Sequence, residues 1–488
     1  MTQPRDEFKP KDEADAPMAS SSSKMMSWGP FFFWDKLDIT IIIPGAATVT
    51  QPADMYSNFC KLKPLSPEEA LEEHLVLESI AWPKTPPLPS PLSLNNTSDP
   101  AHSTFTILPR KRGEQWYIGD KLEVMIKMYD FQGHPKKSGG DVLLARLHNL
   151  TLGAGAAGHI TDYLNGTYSA VFSLLWEGSA QVQVILVHPS EAVTELRRMN
   201  KEEPDRIFFK SQFRSGLFTR TTTCNVCIRP TEQPVCNYTD LHTGEPWFCY
   251  KPTNLSCNAR ISNYNGGYKK NLTTMEKLFQ RGVNMKVSIP ASGPASVTIL
   301  PKQKDLKEFN LHSPKSIGPL MALDYANNIF VTHRAHGPPL RTVNVPSMEL
   351  HYIANELDNV VGGSNTVVVF GIWAHFDNFP IEFYIRRLMS IRRAVVRLLS
   401  RAPGTVVVIR TGNPKSFTPS GAFVNSDWYT FQRLKALRAV FKGFNVHLVD
   451  AWEMVLAHHL PHNMHPQPPI IKNMINVLLS YICPQKVG

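Results

Sequence analysis

The sequence predicts a chain in two parts, an N-terminal Ig-like β-sandwich followed by an α/β domain with a largely parallel sheet. Three observations carry this prediction. Short apolar–polar alternations with turn residues between them recur from 103 to 190. Continuous apolar runs alternate with helical patterns from about 283 to 483. Between the two, five of the seven cysteines cluster from Cys224 to Cys257. The expected division is a disordered leader and Pro/Ser linker over 1–100, the sandwich over 101–222, a cysteine-rich appendix over 223–282 and the α/β domain over 283–488.

The leader is dominated by Lys, Asp, Ser and Pro in its first 25 positions, a composition that buries too little to fold. Ser66-Pro67-Glu68-Glu69 opens like a short capped helix running to about residue 80, and Pro83 to Pro100 reads as a linker. In the β region, Thr104 to Leu108 and Leu122 to Met128 alternate at period two, as half-buried strands do. Asn165-Gly166 tolerates positive φ and suits a tight hairpin between Asp162 and Tyr168. Val182 to Val187 follows, and this strand spacing is that of a sandwich. Tyr168 and Trp176 read as core aromatics.

In the second half, Asn284 to Leu300 reads as extended. Asn365–Phe370, Thr405–Ile409 and Asn445–Asp450 read as strands covered on both faces. A helix from Glu382 to about Arg401 buries Ile385, Leu388, Ile391, Val395, Leu398 and Leu399 on one side. Its Arg386, Arg393, Arg397 and Arg401 read as a solvated face. A second helix spans Trp428 to Phe441, with Ser426 and Asp427 as its N-cap region, and a third runs from about Pro469 to Ser480. Strands alternating with helices imply a parallel sheet.

Composition excludes several function classes. At 488 residues and 42% hydrophobic content, the chain supports about three domains or two large ones. The net charge is +10, but no block of five basic residues occurs, which speaks against nucleic acid and for a solvated basic surface. No run of about 20 apolar residues offers a membrane span. Only one Cys-x-x-Cys pair exists, Cys224 and Cys227, and the spacings of Cys236, Cys249 and Cys257 are irregular. A disulfide knot therefore fits better than zinc, and the odd total leaves at least one cysteine over. Sequons begin at Asn95, Asn96, Asn149, Asn165, Asn237, Asn254 and Asn271, which places the chain in the secretory pathway, secreted or in the Golgi lumen. Phe31 to Trp34 and Ile41 to Ile43 are too short for a signal core, so the true N-terminus is expected upstream.

Open α/β sheets place function at the carboxyl ends of strands. Those ends offer Gly371-Ile372-Trp373-Ala374-His375 as a substrate-pocket loop, then Arg410-Thr411-Gly412-Asn413, then Asp450-Ala451-Trp452-Glu453. Beyond lie His458, His459, His462 and His465, where a hydrolase could hold its base. Pro461 interrupts this run, so it is not a zinc helix, and no metal is expected. Ser292, Ser364 and Ser426 read as turn or cap residues.

Long runs of this chain resemble the neurexophilin and PC-esterase domain (NXPE) family. They are Asp358 to Gly363, Phe370 to Phe376, Tyr384 to Arg387, Arg401 to Thr405 and Val449 to Met454, with Ser288 to Pro294 upstream. The resemblance covers roughly 90 to 488 and implies a neurexophilin-like sandwich followed by an SGNH-type PC-esterase fold. It implies an acetyl esterase or O-acetyltransferase acting on glycans such as sialoglycans, with acetyl-CoA as a possible donor and no resident cofactor. It also implies a second role, binding to a neurexin-like cell-surface receptor. By resemblance, a Gly-Asp-Ser nucleophile and an Asp-x-x-His base are expected. The chain contains no Gly-Asp-Ser. The segments that should flank it, Val297 to Lys302 and Leu306 to Asn310, are nearly joined, as a skipped exon would leave them. The domain is thus expected to be incomplete at its first strand, and residues 290–488 to fold poorly. His465 matches the base, His462 stands where the carboxylate belongs, and Asp450 is the candidate orienting group in its place.

Overall fold

The computed structural model describes residues 59–60, 62–86, 93–109, 115–268, 274–300, 320–324, 329–340, 345–347, 350–415 and 425–483. Asn271, among the sequon residues, lies outside them. The first helix among the described residues is α1 (Pro67–Ser79), headed by a capping box: Glu69 N–H donates to Ser66 Oγ at 3.2 Å and Ser66 N–H to Glu69 Oε2 at 3.3 Å. Val76 and Ile80 are buried in the core of the C-terminal half. The capped helix expected from Ser66 to about residue 80 is present as α1, and two apolar side chains and a row of glutamates hold it onto the fold.

A β-sandwich follows. One sheet orders β1 (Ser98–Ile107), β3 (Lys121–Asp130), β7 (Thr167–Ser173) and β6 (His159–Asp162) as β1-β3-β7-β6. The other orders β2 (Trp116–Tyr117), β15 (Ser296–Leu300), β8 (Gly178–His188), β4 (Val142–Asn149) and β5 (Ala154–Ala157) as β2-β15-β8-β4-β5, with β14 (Val287–Ile289) also on β8. The period-two pattern decides the facing: Leu122, Val124, Ile126 and Met128 of β3 all point inward against Val182, Val184 and Leu186 of β8. Each such fully buried side chain contributes about 1.5–3 kcal/mol. Tyr168 and Trp176 are core residues, and Tyr168 Oη accepts from Asp141 N–H at 3.0 Å. The β6–β7 hairpin turns through Asn165-Gly166. Gly166 has φ +82°, and a Cβ there would meet Lys136 O at 2.1 Å, so only glycine fits.

The boundary expected at 283 cuts through this sandwich. β14 and β15 pair antiparallel with β8, so 287–300 completes the first domain rather than opening the second. The cysteine-rich segment is not an appendix either. Beyond helix α2 (Ser190–Glu202), a separate six-stranded sheet orders β11 (Val235–Asn237), β12 (Phe248–Tyr250), β10 (Phe218–Asn225), β9 (Ile207–Ser215), β13 (Arg260–Tyr268) and β18 (Val345–Pro346) in that sequence. Disulfide Cys224–Cys249 joins strands β10 and β12, Cys236–Cys257 ties β11 to the 3-10 turn before β13, and Cys60–Cys227 anchors the segment leading into α1. Cys483 is the free thiol. Cys60 was absent from the expected knot because pairing follows spatial approach, which spacing does not encode.

Helix α3 (Thr274–Phe279) and the hairpin of β16 (Leu320–Asp324) with β17 (Ile329–His333) lead to helix α4 (Ile353–Asn359). The second half is then built on three parallel strands as predicted: β19 (Val367–Phe370), β20 (Val406–Arg410) and β21 (His447–Val449), with β20 central. β19 lies at an edge, with Val369 47% exposed. Helices α5 (Ile381–Arg401), α6 (Asp427–Val440), α7 (Ala451–Ala457) and α8 (Pro468–Ile482) pack around it. A third core, containing Leu144, Val193, Leu196, Trp428, Tyr429 and Trp452, joins the two halves.

The arginine face of α5 is exposed at Arg393, Arg397 and Arg401, as expected, but its charges are paired rather than free. Arg386 pairs with Glu73, Arg392 with Glu72 and Arg393 with Glu69, all on α1, while Arg397 pairs with Asp358 on α4. Arg401 donates to the Leu357 and Val360 carbonyls. Charge runs read as solvated when the partner helix is more than 300 residues away in sequence. Among the described residues, no helix is long and apolar enough to cross a membrane.

Candidate functional site

The three parallel strands deliver their carboxyl ends to one region. After β19 the chain turns at Trp373 into a 3-10 turn, Ala374–Phe376. The Trp373 ring has the Arg410 guanidinium 5.6 Å from its centroid and Lys415 Nζ at 5.3 Å, so the cation ending β20 and one just beyond it sit against the aromatic following β19. Gly412 permits this approach, since a Cβ there would stand 2.9 Å from the Trp373 ring. Gly371 lies against the Arg410 backbone in the same layer. The His375 ring lies 5.3 Å from that of His336.

The histidine loop that follows α7 is pinned from two sides. Arg146, on β4 of the sandwich, donates from Nη1 to His458 O at 3.0 Å, and Asn413 Nδ2 donates to Asn463 O at 2.9 Å. His458 and His459 stack at 4.6 Å. His462 is half-buried. Burial pushes its pKa down to about 4, with Asp427 opposing the shift and Lys286 and Arg146 adding to it. His465 is exposed, and its backbone N–H donates to Asn463 Oδ1 at 3.0 Å.

Asp450 does not serve the histidines. It is the N-cap of α7, accepting from Glu453 N–H at 3.3 Å, it pairs with Arg438, and it accepts from Thr411 Oγ1 at 3.4 Å. A carboxylate heading a helix is held by the orphan N–H groups of the first turn, which turns it away from the loop at the helix's far end. Sequence reasoning placed the loop directly after β21 because it did not resolve the short helix Ala451–Ala457.

Around these residues lies a buried polar array of which local sequence patterns singled out only the Ser426–Asp427 cap. Lys415 and Asp377 form an ion pair with neither side chain exposed, and Thr430 Oγ1 donates to Asp377 at 3.3 Å. Asp427 accepts from the Lys415 backbone N–H at 2.8 Å and pairs with Lys286 at 3.0 Å, Lys286 coming from the sandwich side. His188, the last residue of β8, meets Ser426 with Nε2 2.7 Å from Oγ. Ser426 also caps α6, accepting from Trp428 N–H at 3.0 Å, so its predicted cap role holds. Burial drives the His188 pKa down to about 3, aided by Lys286 and opposed by Asp427. The array pairs two lysines with two aspartates, meets the Trp373 ring through Lys415, and is assembled from both halves. The neighbouring Arg410 and Asn413 and the Ser426–Asp427 cap were flagged by sequence; the other members needed the fold to meet.

Two cavities flank this region without including Trp373, His375, Asp450, His462 or His465. One, of about 660 Å³, lies between the β5 and β7 strands and α7, with Glu453 in its wall. The other, of about 240 Å³, lies beneath the 374–376 turn, lined by Phe376 and by residues of α5 and the cysteine-rich segment.

The candidate glycan sites fall into two groups. Asn95, Asn96, Asn165, Asn237 and Asn254 are exposed. Asn149 is half-buried and donates from Nδ2 to Ser179 O at 2.6 Å.

Two family models match the chain. The Neurexophilin model matches residues 70–279. The model for the NXPE family member 4-like C-terminal domain matches residues 297–483. Together they span most of the described structure, and they divide it where the sandwich's last strand begins.

Proposed function

Because this chain belongs to the NXPE family, we propose that it is a secretory-pathway glycoprotein whose α/β half is related to carbohydrate O-acetyl esterases and O-acetyltransferases but is inactive in this form. The observation that carries the reading is the absence of any Gly-Asp-Ser in the sequence. A serine mechanism needs an accessible hydroxyl whose proton a neighbouring histidine can take. Ser426 does meet a histidine, but both side chains are fully buried. A histidine with a pKa near 3 is also a weak base at neutral pH. Lys415 is fully buried against Asp377, so Arg410 and the neutral, half-buried His462 are the strand-end groups left to hold an acidic or hydroxylic glycan, and they supply no nucleophile. Three disulfides and seven sequons support the secretory assignment.

The second reading is a secreted binding protein for a neurexin-like cell-surface receptor. The Neurexophilin match favours it, as does a sandwich with its own complete core, which presents β6 and β5 as edge strands.

The test is the full chain, secreted and purified, assayed for hydrolysis of 4-nitrophenyl acetate and an O-acetylated sialoglycan and for acetyl transfer from acetyl-CoA. The expected rates equal those of His465→Ala. Turnover that His465→Ala abolishes would restore the enzyme reading. Saturable binding of a neurexin ectodomain by the same preparation supports the second reading, and its absence removes it.

A further inference from the structure

The cavity of about 240 Å³ beneath the Ala374–Phe376 turn has a composition that the strand-end site does not explain. Four cationic side chains line it, Lys63, Arg386, Arg387 and Arg393, against two carboxylates, Glu69 and Glu245. Arg387 is the innermost. Its side chain is 3% exposed, Nε pairs with Glu245, and Nη2 donates to Pro338 O at 2.7 Å. Phe376 and Tyr352 flank the guanidinium, with ring centroids at 5.0 and 4.6 Å. Two buried polar atoms of this pair have no partner: Arg387 Nη1, a donor, and Glu245 Oε1, an acceptor.

Leaving such atoms unpaired is costly, so a native pocket that keeps them is organised around something that fills both. The filler must present an acceptor to Arg387 and a donor to Glu245 from within one small group. Arg386 is paired with Glu73, Arg387 with Glu245 and Arg393 with Glu69, so the surplus is the single charge of Lys63; it selects an anion over a neutral alcohol, and the planar Arg387 guanidinium suits phosphoryl oxygens. An oxyanion that bears a proton satisfies all three conditions. Its charged oxygens take Arg387 Nη1 with Lys63 at the mouth, and its P–OH donates to Glu245 Oε1. Sulfate at neutral pH has no proton to give, and it would set a bare oxygen against the Glu245 carboxylate.

We propose that this pocket binds a protonated phosphate group, free or as a monoester, and discriminates against sulfate through Glu245. It requires nothing of the strand-end site, and it joins three separate parts of the chain: the segment before α1, the cysteine-rich sheet and α5.

The experiment is calorimetric titration of the full secreted chain with inorganic phosphate, sodium sulfate and glucose 6-phosphate at pH 6, where monoesters still carry a proton in good part. Saturable phosphate binding is expected, with sulfate weaker by about tenfold or more, the scale of one lost charge-assisted hydrogen bond. Lys63→Ala, an exposed change, should weaken phosphate severalfold and leave the unfolding midpoint in phosphate-free buffer unchanged. Glu245→Gln should narrow the gap between phosphate and sulfate, because the amide can donate to either. If that variant does not fold, Lys63→Ala still decides. Tighter binding of glucose 6-phosphate than of phosphate identifies a monoester as the occupant, and the reverse identifies the free ion. Absence of saturable phosphate binding, equal affinity for sulfate, or an unchanged Lys63→Ala variant would each overturn the proposal.

Discussion

His188 and Ser426, 238 residues apart in sequence, share a 2.7 Å hydrogen bond with neither side chain exposed to solvent. One ends the longest strand of the sandwich and the other caps the α6 helix beside the parallel sheet. The two halves thus meet through a polar bond as well as through the shared core of Trp428, Tyr429 and Trp452. Ser426→Ala removes the cap and strands the imidazole. A lost cap costs about 1 kcal/mol and an unsatisfied buried group about 1–3 kcal/mol. A loss of about 2–4 kcal/mol is expected in urea unfolding, and an effect under 0.5 kcal/mol would contradict this role.

Lys415 and Asp377 are the most deeply buried ion pair described, at 0% exposure on both sides. Asp377 also faces Arg433, whose Nε lies 3.8 Å away, so Lys415→Met leaves Asp377 one buried cation while Asp377→Leu deprives both cations of their partner. Asp377→Leu should cost about 3–5 kcal/mol and Lys415→Met less, measured by chemical denaturation. The double variant should be more stable than the sum of the two losses allows, since the Lys415–Asp377 contact is lost only once. Strict additivity would indicate that the pair does not interact in the folded protein.

Acid should destabilise the fold through its buried histidines. His188 and His462 have folded pKa values near 3 and 4, depressed by burial from an ordinary value of about 6.5. Below 6.5 the unfolded chain takes up protons that the folded chain refuses. Stability from these groups is therefore complete above about pH 6.5 and falls as pH drops toward 4, by up to about 1.4 kcal/mol per unit for each. Asp141 opposes this. Burial and the nearby Glu191 raise its pKa to about 6, so below that the folded state holds one extra proton. The net slope should be positive between pH 4 and 6.5 and smaller in His188→Gln. A stability profile flat across that window would refute the assignment.

The α1 helix should behave as a docked strap. Three glutamate–arginine pairs and the Cys60–Cys227 bond hold it on α5 and on the cysteine-rich sheet. Partly exposed pairs contribute about 0.2–1 kcal/mol each. Glu72→Lys with Glu73→Lys should lower stability by about 1–3 kcal/mol and open residues 62–86 to limited proteolysis. Adding Arg386→Glu and Arg392→Glu should restore protection. Cleavage that remains as slow in the reversed-charge variant as in the parent would show that the apolar contacts of Val76 and Ile80 suffice alone.

How much of this was legible in the sequence depended on the range of the interaction involved. Local alternation placed β3 and the β6–β7 hairpin, and apolar runs placed β19, β20 and β21 and their parallel order. The α5 and α6 helices and the Ser426 cap were read from patterns contained within a few turns. Each of these is set by backbone geometry and the burial of one face, which the order of residues records directly. Family membership was legible too, from long runs such as Phe370 to Phe376. The tertiary structure alone decided which charges are solvated and which are paired. It set Arg386, Arg392 and Arg393 against α1, turned Asp450 to a helix N-terminus instead of a histidine, returned 287–300 to the first sheet, and gave Cys227 to Cys60. It also gathered Lys415, Asp377, Lys286 and His188 into one buried array. Those outcomes turn on contacts between residues tens to hundreds of positions apart, where desolvation and pairing geometry decide the energy and no sequence period carries the information.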